Sequence, residues 1–234
     1  MISNEQLEVI SKLMMAVMQV SIAVPMAVVW RRQRHFSPAI KLLSTYVYLS
    51  ACSALAIQFL YPLYFATNMW MVALFNLCKI VLFRAVYNQV LVSARARRVL
   101  GIVTLITLVS IVGIYWFDAR LGATYGRIMQ CAVLAAFALA YLEQSLNRLP
   151  TQRPVHDPLW LLSVGQLIYS AGTVTAFSQD YLFTTFYDYH LKYLVVATIG
   201  LVFNSFLTLA FLRARQPALA EEQPAVASSQ FATS

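Results

Sequence analysis

Residues 8–35, EVISKLMMAVMQVSIAVPMAVVWRRQRH, decide the fold. Between Val9 and Trp30 the stretch carries one charged side chain, Lys12. It is long enough to cross a hydrocarbon core about 30 Å thick, which takes about 20 helical residues. A secretory leader would carry its positive charges ahead of the apolar run and end at a small-residue cleavage site. Here Glu5 and Glu8 lie at the start, while Arg31, Arg32 and Arg34 follow the run. That order describes a retained transmembrane helix whose N-terminus is extracytoplasmic.

Working outward, further apolar spans are predicted at 38–60, 67–92, 98–117, 124–146, 158–178 and 190–212, with the fourth span among the shortest and the third the least cleanly apolar. Composition agrees. The chain has 234 residues, 60% hydrophobic and 11% charged, against about 25% charged in a soluble domain that needs a water-facing shell. The expectation is an all-α, polytopic membrane bundle of about seven helices in the bacterial cytoplasmic membrane. A short extracytoplasmic N-terminus would occupy 1–8 and the bundle 9–213. The Ala-, Gln-, Pro-, Ser- and Glu-rich segment 214–234, with little to bury, reads as a disordered cytoplasmic tail.

Loop charges set the orientation. Arg31, Arg32, Arg34 and Lys41 follow span one, Arg95, Arg97 and Arg98 span three, Arg148 and Arg153 span five, and Arg213 and Arg215 span seven. The opposite side has Lys12, Arg120, Arg127 and Lys192, diluted by Glu5, Glu8, Asp118, Asp180 and Asp188. The positive-inside rule places the richer side, and with it the C-terminus, in the cytoplasm. The same placement explains the net charge of +8 through topology anchors, without nucleic acid as a partner. Asp157 before Pro158 reads as an N-cap and first-turn proline opening span six. Tyr61, Tyr64, Trp70, Trp116, Tyr125, Trp160, Tyr181 and Tyr187 read as an interfacial belt.

Span three, NMWMVALFNLCKIVLFRAVYNQVLV, carries the chemistry. Asn76, Lys79, Arg84, Tyr87 and Asn88 spread over one broad half of the helix at about 100° per residue, with Lys79 and Arg84 about 140° apart. An ionisable group at mid-bilayer costs at least about 2.5–3.5 kcal/mol, so Lys79 is expected to face the bundle interior. Arg84, nearer the basic end, can extend its charge to the interface. Glu143 in span five is the candidate partner of Arg84, or else lies among headgroups. In span six, Ser163, Gln166, Ser170 and Thr173 form a polar stripe that packs helices or lines a pocket. Asn204 and Gln58 could join the same interior. Together these residues predict a net-positive centre suited to an anionic small molecule or lipid.

No cofactor is expected. Cys52, Cys78 and Cys131 fall in apolar segments as small fillers, and His35, His156 and His190 lie in or beside separate loops. Lys192 stands too close to the outer surface for a buried Schiff base, and span three offers cations where a retinal counter-ion would be. Motifs such as HExxH, GxSxG and a phosphate loop are absent.

The run 157–172, DPLWLLSVGQLIYSAG, and the Leu- and Phe-rich helix after it give the segment 124–215 a resemblance. It resembles an uncharacterised family of small bacterial seven-helix membrane proteins, some of them found beside sensor histidine kinases. The shared features are a Pro–Leu–Trp start, a glycine and a Tyr–Ser turn. The resemblance implies a receptor or accessory role near a kinase and transfers no site residue. The leading expectation is therefore a membrane sensor or signalling accessory that binds a ligand or senses the bilayer and acts through a cytoplasmic partner. A transporter or channel for a small anionic or lipid-like solute is the alternative. A membrane-embedded lipid-modifying enzyme using Glu143 or an outer Asp as acid or base is the third.

Overall fold

The computed structural model describes residues 4–56, 69–147, 157–178 and 186–214, and these are helical almost throughout. We number the helices α1 (Asn4–Ser21), α2 (Ala23–Arg32), α3 (Pro38–Leu55), α4 (Met69–Val90), α5 (Ala94–Phe117), α6 (Ala119–Asn147), α7 (Pro158–Ser178) and α8 (Phe186–Arg213). Only Ile22 separates α1 from α2, and a short 3-10 turn, Gln33–His35, extends that rod. The eight helices therefore form seven rods.

Six rods are long and apolar enough to cross a membrane: those built on α1/α2, α4, α5, α6, α7 and α8. The seventh, α3, has 18 described residues and falls outside that six. The spans read from the sequence lie on these rods, with most ends displaced by a few residues. Span four is longer than expected, at 24 residues. The least apolar of the six is α7, not α4. Helix α1 begins at Asn4, so residues 4–8 are already helical. The tail beyond 214 lies outside the described residues, as do Gln58, Tyr61, Tyr64, Arg148, Arg153, His156 and Tyr181.

Helix ends follow from local chemistry. Asp157 Oδ1 accepts from the Leu159 amide at 2.9 Å, so the expected cap forms. Ser93 caps α5 by accepting from Ala96 N at 3.3 Å, and Asp118 does so for α6 by accepting from Leu121 N at 3.1 Å. Each satisfies one of the amides a helix start leaves unbonded.

The α1/α2 rod, α3, α4, α6, α7 and α8 pack in a ring, each against the next and the last against the first. Outside this ring, α5 lies against α4 and α6. Three polar links close the seam between the first and last rods. Ser11 Oγ and His190 Nδ1 are 2.9 Å apart, Asn204 Nδ2 donates to Ser21 Oγ at 2.7 Å, and Arg32 Nη1 donates to the Leu212 carbonyl at 2.7 Å. Glycines permit close approach elsewhere: a Cβ on Gly165 would meet Phe206 Cβ at 2.6 Å.

Candidate functional site

Lys79 lies in the middle of α4 and is 1% exposed. Its Nζ lies 4.4 Å from the ring centroid of Tyr169 on α7 and 5.1 Å from Phe203 on α8. Tyr46 on α3 stands at 5.2 Å and Phe83, one turn along α4, at 5.6 Å. The ammonium is thus enclosed by aromatic rings from four helices, and no carboxylate pairs with it among the described residues. A cation within about 6 Å of a ring centroid gains roughly 0.5 kcal/mol when exposed and about 2 kcal/mol or more when desolvated. Ring contacts of this kind offset part of the cost of a charge at mid-bilayer, at least ~2.5–3.5 kcal/mol. The expectation that Lys79 faces inward holds, by a route that needs no acidic partner.

Uncommitted polar groups occupy the same bundle core. Asn76 lies one turn from Lys79 on α4 and is fully buried, as is Gln130 on α6. Both carboxamides, the Oε1 of Gln166 and the hydroxyl of Thr173 find no hydrogen-bond partner among the described residues. Gln166 Nε2 does donate to Ser170 Oγ at 2.9 Å, so the stripe on α7 is half satisfied along its own helix. Tyr87 and Ser163 share a buried hydrogen bond of 2.8 Å that ties α4 to α7.

A line of cations and rings leads from the arginine-poor end toward Lys79. Lys192 Nζ stands 4.4 Å from the Phe177 centroid, and Arg127 Cζ is 5.8 Å from the same ring. Arg127 Nη1 then reaches the Tyr169 hydroxyl at 3.4 Å, and Tyr169 faces Lys79. Arg127, counted in the sequence among the charges of the outer side, is half-buried and points into the bundle.

Of the eight residues proposed from sequence, four share the interior: Asn76, Lys79, Gln166 and Ser170. The other four lie elsewhere. Arg84 is exposed and lies over α5, where a Cβ on Gly101 would come within 3.1 Å of its Nη2. Asn88 is exposed. Asn204 links to Ser21 on α1. Glu143 is exposed at the arginine-rich end. Although α4 and α6 adjoin as the pairing with Arg84 required, no ion pair joins the two residues. Glu143 instead lines a groove with Arg95.

Sequence reading did not place Tyr46, Phe203, Tyr169, Gln130 or Arg127 at this centre. Tyr169 lies beside a residue that was singled out, directly preceding Ser170 of the α7 stripe. Among the described residues no His, Cys, Asp and Glu group could hold a metal.

The fold and its charged, ring-lined core define an all-α, multi-pass membrane protein. No protein-family profile, curated protein or solved structure matches the chain.

Proposed function

We propose that this protein is an integral membrane sensor or signalling accessory. It takes a ligand at the Lys79 centre, or reads the state of the bilayer, and passes the change to a separate cytoplasmic partner. The observation that carries this reading is the enclosure of Lys79 by rings contributed from α3, α4, α7 and α8. Cation–ring attraction depends on distance and on the face presented, so relative movement of those rods changes the stability of the centre. A ligand that binds one arrangement better shifts the population toward it. The resemblance of 124–215 to proteins found beside histidine kinases supports a kinase as the partner. In this reading the N-terminus is outside, and the arginine-rich end faces the cytoplasm of a bacterial inner membrane, as the positive-inside rule requires.

Affinity purification of the tagged chain in mild detergent, with mass spectrometry of what accompanies it, tests the proposal. Recovery of a kinase or other signalling protein in stoichiometric amount is expected. Lys79→Met should keep the partner and lose the regulated output. A chain that purifies with no partner overturns the accessory role.

A transporter of a small anion is the second reading. It is favoured by the unmet hydrogen bonds of Asn76 and Gln130 and by the cations that lead inward through Arg127. It predicts flux into proteoliposomes that Lys79→Met abolishes. Catalysis on lipid by Glu143 has less support, because that carboxylate is exposed and is not part of the buried polar cluster.

A further inference from the structure

At the arginine-rich end, the turn joining α4 to α5 and the last turns of α6 enclose an open groove of about 630 Å³, within the roughly 300–1,000 Å³ typical of small-molecule sites. Leu91, Val92 and Val99 form much of its apolar wall, and Arg95 and Glu143 supply its two charges. Val92 and Val99 are 60% and 51% exposed, so the wall runs onto the outer, lipid-facing surface of α5. Leu91 is buried and anchors the inner side.

The groove is held open by a bracing side chain. Gln144 Oε1 accepts from the Val92 amide at 2.7 Å, and its Nε2 donates to the Val90 carbonyl at 3.1 Å. Both ends of one carboxamide therefore fix the turn against α6. Ser93, in the same turn, caps α5. Such preformed walls lower the ordering cost of binding.

Arg95 and Glu143 share this small space, yet no ion pair joins them. Their formal charges cancel, so the complementary ligand is itself a zwitterion, with an anionic group for the guanidinium and a cationic N–H donor for the carboxylate. The apolar wall continuous with the membrane-facing surface calls for acyl chains on the same molecule. From this charge complementarity the geometry points to a binding site for one aminophospholipid of the phosphatidylethanolamine class. Arg95 engages the phosphate, where a guanidinium binds in a fixed fork geometry. Glu143 accepts from the primary ammonium, and Leu91, Val92 and Val99 lie along the glycerol and upper chains. An anionic headgroup without an amine would meet the repulsion of Glu143. A quaternary choline has no N–H to give it.

The full-length chain reconstituted into nanodiscs of equal phosphatidylethanolamine, phosphatidylglycerol and phosphatidylcholine, then released for native mass spectrometry, tests this assignment. One retained phosphatidylethanolamine per chain is expected, at least about tenfold over either competitor, a preference equivalent to about 1.4 kcal/mol. Glu143→Gln should remove the preference over phosphatidylglycerol while lipid is still retained. Arg95→Gln should reduce retention of all three. Both residues are exposed, so both variants fold, and circular dichroism with size-exclusion chromatography verifies it. Equal retention of the three lipids by the native chain, or an unchanged preference in Glu143→Gln, overturns the site.

Discussion

Two helices of this bundle invert the rule that governs soluble cores. The most apolar of the six qualifying rods is α5, yet only 28% of its span is buried, while the least apolar, α7, is 50% buried. In water the opposite order would hold, because burial follows hydrophobicity. In lipid there is no such drive between helices; packing and polar contacts bring them together. The apolar helix is left facing the acyl chains, and the helix carrying Ser163, Gln166, Ser170 and Thr173 goes to the centre. Polarity, not greasiness, is the signal for the interior here.

The sharpest way to break the comparison is to put a charge on α5. Ile106 is 59% exposed near the middle of that helix, and Ile106→Arg should cost about 2.5–3.5 kcal/mol, read as a loss of the membrane-integrated fraction. Normal integration would mean that this face does not meet lipid. Next in size, Gly165→Ala in α7 should destabilise by about 1–3 kcal/mol through overpacking against Phe206. The matching change Gly113→Ala in α5 meets nothing within 4 Å and should be neutral or gain up to about 1 kcal/mol from helix propensity. Thermal unfolding in one detergent compares the pair directly. Equal losses would remove the distinction between the two helices.

Lys79→Met sharpens the contrast from the side of charge. It removes the burial cost and the ring contacts together, so the net change in stability should stay within about 1 kcal/mol. Lys79→Glu places a carboxylate against the negative faces of the same rings and should melt well below Lys79→Met. A large loss in the methionine variant would show that the ammonium has a structural partner beyond the rings. Smallest of all, Tyr87→Phe removes the hydroxyl bonded to Ser163 and should cost roughly 0.6 kcal/mol, the average for an interhelical hydrogen bond in a membrane protein.

Much of this architecture could be read before the fold was seen. Apolar runs marked the rods to within a few residues at most ends, and Asp157 marked the start of α7. The cost of a mid-membrane charge put Lys79 inside, and its separation of about 140° from Arg84 already suggested that the two would part. The ring enclosure was not legible, because Tyr46 and Phe203 come from α3 and α8. Periodicity gives the face on which such a side chain lies but not which neighbour that face meets. The same gap explains Asn204, read as a member of the polar interior with Lys79 but bonded to Ser21 on α1. The inward turn of Arg127 was not legible for another reason. A cation eight residues into α6 looks like a rim anchor until the contact with Tyr169 shows where it points.

The three links between the first and last rods carry a constraint of parity. Ser11, Ser21 and Arg32 meet His190, Asn204 and Leu212 in the same order along the chain, so the two rods run in the same direction. Alternating rods bring the first and last into parallel only when their number is odd. A chain that gained or lost one crossing would present its final helix to the seam upside down, setting the Leu212 end beside Ser11 and leaving each link without its mate. The seam therefore accords with an odd number of alternating rods, and the described residues hold seven, six of them long and apolar enough to cross a membrane.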